Sequence, residues 1–540
     1  MRRDAALRCE GREILEVADM YAADRYAMAH GIDGMALMER AGEAVARAAD
    51  RLLGRNGRML VLAGPGNNGG DGYVAARLLA ARGHVVQVAA LVPPDALQGD
   101  AAAAAARWNG ETVPLETLVE TGEAALLGVD VVIDALFGAG LDRPLEGVAA
   151  AMVALVDAAR RRGALKVLAV DVPSGIHGDA GRPPEGGLAM QADVTVTFFR
   201  RKPAHLLHPG RLYSGQVIVA DIGIPAAALE QVPVAACEND PAVWRHLLPG
   251  LTREIHKYQR GSLMVLTGDA LHTGASRLVA MAGLKVGAGA VTLVGAREAL
   301  LTHAAHLTEV MLHPVEDVAQ WVEALTTRHV RAVVIGPAAG VDARTRDFTL
   351  AVLERARRVA VVLDADVFTV FADAPETLFQ AIAKRRGPVV MTPHEGEFAR
   401  LFPDLAHDRV SLKSKLARVK EAAARAGCTV LLKGTDTVIA NARGQAVIEA
   451  HGAPWLATAG SGDVLAGLLG GLLAQDMPPL AAAAAAAWLH AEAGWRAGPA
   501  MVASELVPIA GALRADVAGT AAAWQQKSVI AADNRWREVQ

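Results

Sequence analysis

Short runs of Val, Ile and Leu recur along this chain, each followed by a glycine-bearing loop and then by an Ala/Leu-rich stretch with helical spacing. That alternation restricts the chain to βαβ units, and so to a mainly parallel sheet covered by helices. A first series occupies residues 59–63, 85–91, 129–134, 167–171 and 194–199 and closes with 216–222. Residues 223–243 then carry Pro and Ala with no strand pattern and mark the expected boundary. A second series runs through 263–267, 291–294, 332–335, 359–364, 389–391 and 429–432. Two α/β domains are expected, residues 1–230 and 236–520, and their different loop motifs speak against internal duplication. The alanine tracts at 101–106 and 481–487 predict helices. Residues beyond about 518 carry no readable pattern.

Composition removes several classes of function. The 540 residues carry 54 Lys+Arg against 58 Asp+Glu, a net charge of −4, and so offer no global positive field for nucleic acid or an anionic membrane. Aromatics at 4% are too few to stack successive bases. The most apolar regions, 464–474 and 480–489, are broken by Gln475, Asp476 and Pro478-Pro479, and each is shorter than the ~18 residues of a membrane span. The first residues lack the apolar stretch of a signal peptide, so no secretion is expected. Cys9, Cys237 and Cys428 are odd in number and lack CxxC spacing. They predict neither a disulfide framework nor a zinc site, and they point to a reducing, cytoplasmic setting.

In the first half, the strand at 59–63 runs into Gly64-Pro-Gly66-Asn67-Asn68-Gly69-Gly70-Asp71-Gly72 and then a helical pattern over 73–82. Backbone N–H groups and a helix dipole at such a junction hold phosphate, although glycines in a tight turn would read the same way. As a dinucleotide fingerprint the match is incomplete, because the acid wanted about 20 residues on is represented only by the late Asp95. Two further acids end strands: Asp134, before Ala-Leu-Phe-Gly138-Ala139-Gly140-Leu141-Asp142-Arg143-Pro144, and Asp171, before Val-Pro-Ser174-Gly175. Either is a ligand group at the carboxyl edge of a parallel sheet or a cap for the next turn. With Asn68 and Ser174 they form a hard-oxygen set of low formal charge, better matched to a monovalent cation than to calcium.

These motifs, with the segment from Ala18-Asp-Met20 to Met38-Glu-Arg-Ala-Gly42, resemble the NAD(P)H-hydrate epimerase family over roughly residues 12–225. The resemblance implies a Rossmann-like three-layer domain. It assigns substrate binding to Asn67, Asn68, Gly69, Gly70, Asp71, Gly138, Ala139, Gly140, Leu141, Asp142, Arg143, Pro144 and Asp171. It also implies K+ on Asn68, Asp134 and Ser174, and proton handling by Asp171.

In the second half, Gly460-Ser461-Gly462-Asp463 opens a long apolar helix, where free N–H groups would hold an anion and the carboxylate would take a proton from an attacking hydroxyl. A helix-capping Asp is the alternative. Lys433-Gly434-Thr435-Asp436-Thr437 ends a strand with groups suited to phosphate or adenylate. His394, in Pro393-His394-Glu395-Gly396-Glu397, is a loop residue or a ligand contact. Together with Thr273-Gly-Ala275-Ser-Arg277, these motifs resemble the ribokinase-like fold and, within it, the ADP/ATP-dependent NAD(P)H-hydrate dehydratase family over about residues 250–515. The implied roles are hydrate contact by Ala275, Gly340, His394 and Asp463, adenine-nucleotide contact by Lys433 to Thr437 and Gly462, and catalysis by Asp463. ADP, with ATP as the alternative and Mg2+ as its companion, is the implied co-substrate. One departure is Ala338-Ala339-Gly340, where the family carries Gly-Leu-Gly.

The combined expectation is an α/β enzyme that repairs hydrated NADH and NADPH. It epimerises the R and S hydrates and then dehydrates the S hydrate, releasing AMP and phosphate when ADP is used. A homo-oligomer is expected, with small nucleotides as the only other partners. The competing expectations are a vitamin or sugar kinase of ribokinase type fused to a nucleotide-binding domain, and a non-catalytic binding module.

Overall fold

A computed structural model of the chain describes residues 6–54, 56–163, 165–250, 260–406 and 412–519. The chain divides between Ala236 and Cys237 into two compact units, and residues 6–12 group with the second. The expected first domain began at residue 1, so its start is corrected. The reason is local: Arg8 N donates to Val243 O at 2.9 Å, Glu238 N donates to Arg12 O at 2.9 Å, and Arg12 pairs with Asp240 at 3.0 Å. Cys9 and Cys237 also form a disulfide, with Cα atoms 5.6 Å apart. The expectation of unpaired cysteines is overturned, because a separation of 228 residues is closed only by the tertiary structure and leaves no spacing signal. With it goes the support that cysteine usage lent to a reducing compartment. Cys428 remains a buried free thiol.

The first unit holds strands β1 (Arg58–Ala63), β2 (Val85–Ala90), β3 (Thr112–Pro114), β4 (Val131–Ala135), β5 (Lys166–Val170), β6 (Val194–Phe198) and β7 (Gln216–Ala220). All are parallel, in the order β3-β2-β1-β4-β5-β6-β7. Alternate residues of β1 enter different cores. Val61 packs with helices α1 (Val17–Ala29), α2 (Gly34–Leu53), α3 (Asn67–Ala81) and α4 (Gly99–Ala106), while Leu60 and Leu62 pack with α5 (Gly147–Arg161). Three layers result.

The helix α3 begins at Asn67, six residues earlier than the sequence pattern indicates. Glycine is a poor helix former, but here it is needed for close packing. A Cβ on Gly69 would stand 2.1 Å from Gly64 O, and one on Gly70 would stand 2.7 Å from Met38. Asn67 to Asp71 are therefore the first turns of a helix rather than a loop.

The second unit places β8 (Ala236–Glu238), β9 (Ser262–Leu266), β10 (Ala290–Gly295), β11 (Met311–Pro314), β12 (Ala332–Ile335), β13 (Ala360–Leu363), β14 (Val389–Met391), β15 (Thr429–Leu432), β16 (Thr437–Ala440) and β17 (Ala446–Glu449) in the order β8-β17-β16-β15-β14-β13-β12-β9-β10-β11. Pairing is parallel from β11 to β15 and antiparallel at β15-β16 and β16-β17. The supposed linker 223–243 thus contributes a strand, paired to β17. Helices α6 (Gly274–Lys285), α7 (Glu395–Leu401), α8 (Ser461–Ala474), α9 (Pro479–Ala497) and α10 (Ala503–Val517) complete the elements used below. The core joins one sheet face to the alanine-rich α9 and to α8. Among the described residues, no helix is long and apolar enough to cross a membrane.

Candidate active sites

In both sheets the strand order reverses at one point, between β1 and β4 in the first and between β9 and β12 in the second. Loops leaving the carboxyl ends of such strands diverge there and open a crevice.

In the first unit that crevice is a cavity of about 530 Å³. Asn67, Asn68 and Asp71 line it from the start of α3, residues 138–143 from the loop after β4, and Asp171 and Lys202 from the ends of β5 and β6. Gly64 permits the close approach of the first two loops, since a Cβ on it would lie 1.7 Å from Leu136 O. Gly69, Gly70 and Pro144 are not lining residues; the two glycines serve the packing of α3.

Asp171 takes a φ of 64°, an uncommon conformation for a non-glycine residue. It is held there by Val196, whose carbonyl accepts from Asp171 N at 2.8 Å, and by His205 Nε2, 2.8 Å from Asp171 O. Its Oδ1 accepts from Lys202 Nζ at 2.6 Å and Thr197 Oγ1 at 2.9 Å, and its Oδ2 accepts from Ala139 N at 3.3 Å. Burial alone would raise this carboxyl, but the charge and hydrogen bond of Lys202 prevail and hold it below the usual range. The neighbouring carboxyls go the other way. Burial, then the charges of Asp171 and Asp24, push Asp71 well above its ordinary value. Burial likewise raises Asp24 to about 6, with Lys202 opposing it and Asp171 adding to it.

Beneath the cavity, Ser174 N and Oγ donate to Asp134 at 2.8 and 2.6 Å, and Ser174 Oγ also accepts from Phe137 N at 2.9 Å. Asp134 is fully buried, and burial raises it to about 6. Asn68 Oδ1 and Asp171 Oδ2 lie 3.2 and 3.3 Å from a Cβ built on Gly138, so the pair flanks that glycine. Asn68 Nδ2 is buried with no partner; a rotated amide would put an oxygen there instead. The Asp134 carboxylate thus meets only neutral donors, from Ser174 and Leu136.

In the second unit, Lys433 Nζ donates to Asp364 Oδ1 at 2.9 Å and stands 3.8 Å from Glu397 Oε2. It lies 3.6 Å from a Cβ built on Gly462, in the first turn of α8. Burial opposes its charge, but Asp364, Glu397 and Asp463 outweigh burial and raise it. Burial, then Asp364, raise Asp463 to about 6, with Lys433 opposing them and Asp366 adding a little more. Gly460, at φ 86°, turns the chain into α8; Ser461 N donates to Thr458 O at 3.4 Å, and the next amides of the first turn have no acceptor within the helix.

Gly434, Thr435 and Asp436 form the turn between β15 and β16, with Thr437 Oγ1 donating to Gly434 O at 3.2 Å. His394 caps α7: its Nδ1 accepts from Gly396 N at 3.0 Å, while Glu397 accepts from His394 N at 2.8 Å. Gly340 N donates to Asp366 Oδ2 at 2.9 Å, and Ala275 is half-buried in the first turn of α6. The family departure has a backbone consequence, since Ala338 takes a φ of 51° where glycine would be unstrained.

Two family models match the chain: one described as NAD(P)H-hydrate dehydratase over residues 263–507, and one described as YjeF-related protein N-terminus over residues 34–204. A bifunctional NAD(P)H-hydrate repair enzyme of Moorella thermoacetica is 36% identical over 502 residues, covering 89% of this chain and 92% of its own. The enzyme of the same name from Mycobacterium tuberculosis is 36% identical, covering 88% and 91%. The chain belongs to the bifunctional NAD(P)H-hydrate repair enzymes. Among solved structures, an ADP/ATP-dependent NAD(P)H-hydrate dehydratase from Bacillus subtilis, co-crystallised with ATP/Mg2+, is 26% identical and aligns with 52% of this chain and 98% of its own at a TM-score of 0.45.

For a repair enzyme of this kind the motifs missed Lys202, Thr197, Tyr21 and Asp24 in the first site. Lys202 carried a signal, since it follows the strand end at Phe198 on the same sheet edge as Asp171. Tyr21 and Asp24 lie in the 18–42 segment that carries the resemblance, but α1 bears no glycine loop or strand end that singles them out.

Proposed function

We propose that the first unit interconverts the R and S hydrates of NADH and NADPH and that the second dehydrates the S hydrate at the expense of ADP, with ATP as the alternative. Water adds at the ring carbon beside nitrogen, so the two epimers differ only in which face carries the hydroxyl. In the second unit, the hydroxyl of the S hydrate attacks the terminal phosphoryl group of the nucleotide and Asp463 takes its proton. Elimination of phosphate then restores the ring double bond; from ADP the products are AMP and phosphate. The first-turn amides of Gly462 and Asp463, with Lys433, would stabilise the transferring group.

The observation that carries this reading is Asp463, a carboxyl raised to about 6 in the first turn of α8, where the half-buried Lys433 comes within 3.6 Å of a Cβ built on the adjacent Gly462. Mg2+ would arrive bound to the nucleotide phosphates, which supply its oxygen ligands. Asn68, Asp134 and Ser174 would hold K+, which would fix the loop after β4 against α3 and add positive charge beneath the substrate. The enzyme's place is proposed to be the cytoplasm, where NADH and NADPH are abundant.

Incubation with hydrated NADH and either nucleotide should restore the reduced nicotinamide absorbance. No recovery with ADP or ATP would favour a small-molecule kinase instead.

A further inference from the structure

One wall of the first cavity comes from α1, which presents Val17, Met20, Tyr21, Asp24 and Met28, the spacing of a single helical face. Tyr21 lies over the glycine loop after β4: a Cβ on Gly140 would stand 2.6 Å from its hydroxyl. Asp24, one turn further along, is half-buried in the same wall. The charged and titratable groups facing it are Lys202 and Asp171 from the strand ends, Asp71 and Tyr21 from the cavity walls, and Arg25 on its own helix.

Epimerisation needs a proton donor as well as an acceptor, and Asp171 is poorly placed to be the donor. Three donors occupy its oxygens, and the Lys202 charge keeps it ionised. Asp71 also lines the cavity but is only 8% exposed, whereas Asp24 is half-buried on the opposing helix.

We propose that Asp24 is the general acid and returning base of the epimerase reaction, a catalytic residue supplied by α1 opposite the Asp171–Lys202 pair. This rests on the epimerase reading above. The Asp24 carboxyl gives its proton to the hydroxyl on the carbon beside the ring nitrogen. The carbon–oxygen bond breaks, its electron pair leaves with water, and the nitrogen lone pair forms a carbon–nitrogen double bond. Water then adds to the other face, the nitrogen recovers its pair, and the surplus proton returns to Asp24. Nothing is oxidised or reduced. Ionised Asp171 stabilises the cationic intermediate.

The test uses the full chain with Asp24→Asn, measuring equilibration of separated R and S hydrates between pH 5 and 9 and, on the same preparation, dehydration of the S hydrate. Epimerase kcat should fall ~10²-fold or more with KM little changed, and the decline of the wild-type rate above about pH 6, where Asp24 loses its proton, should disappear. Dehydration should be unaltered, and Asp24→Glu should recover part of the rate. An Asp24→Asn enzyme with the wild-type rate and pH profile would overturn the proposal, as would Asp24→Glu behaving like Asn. If wild-type protein itself does not equilibrate the hydrates, the epimerase reading fails rather than the role of Asp24 within it.

Discussion

Lys202 Nζ lies 2.6 Å from Oδ1 of Asp171, with the lysine side chain 3% exposed and the carboxylate 17%. The two residues are delivered by adjacent parallel strands, so a pair distant in sequence becomes rigid in space. Lys202→Met strands a buried carboxylate, and breaking such a pair costs about 3–5 kcal/mol. The sign follows from the depressed Asp171: its contribution to stability is present above the ordinary carboxylate range and lost as pH falls through the folded value. Urea unfolding of Lys202→Met at pH 7 should show the loss, shrinking toward pH 3, and Asp171→Asn/Lys202→Met should recover part of it. A single variant as stable as wild type would remove the pair from this role.

Asp463→Asn isolates the second reaction. Asn keeps the shape and caps a helix about as well as Asp, so a purely structural residue would tolerate it. As the base, Asp463 must be ionised, and wild-type dehydration should decline as pH falls below about 6. The variant should lose ~10²-fold or more in rate with its adenine-nucleotide affinity almost unchanged. Its melting temperature at pH 8 should equal or exceed that of wild type, because a carboxyl raised by folding destabilises the fold when ionised. A fully active variant would return Asp463 to the status of a cap.

The parallel strands of both units were legible because fully covered strands are almost wholly apolar: every residue of β12 is buried and apolar, and every residue of β4 is buried, with Asp134 its one polar side chain. Short edge strands were not: β3 has three residues and ends in proline, and β11 is half-exposed. The site divided in the same way. Glycine loops and strand-end acids announce themselves by local pattern, which is why Asp134, Asp171 and Asp463 stand out in the sequence. Lys202 and Asp24 meet the field of Asp171 only through the tertiary fold, and the Cys9–Cys237 bridge likewise joins residues 228 apart in the chain. Asn67 to Asp71 read as a loop in the sequence but are helical, because glycine's helix penalty is outweighed by the packing of α3 on its neighbours.

The Asp134–Ser174 contact makes the cation dependence testable. Asp134→Ala removes the acceptor for two Ser174 donors at a position with no solvent, costing about 1–3 kcal/mol per unsatisfied group. Epimerisation should slow and lose its response to potassium, while dehydration continues. Equal wild-type epimerase rates in potassium-rich and potassium-free buffer would argue against the cation site.

The cysteine pairing yields a prediction that needs no substrate. Cys9 and Cys237 are bridged, whereas Cys428 is buried and its thiol is pushed up to about 12 by burial, so it should resist alkylation in the folded protein. Unfolded in denaturant without reductant, the oxidised chain should expose a single reactive thiol; after reduction all three cysteines should react. The bridge ties the segment before Glu13 to β8, and closing so long a loop restricts the unfolded ensemble. Cys9→Ser should therefore lower the unfolding free energy of the second unit by about 2–5 kcal/mol relative to the oxidised chain. The variant should match reduced wild type, since both lack the same link. Epimerisation should be unchanged, because both cysteines belong to the other unit. Three reactive thiols before any reductant is added would show that the bridge does not form in the isolated protein, and Cys9→Ser would then be close to neutral.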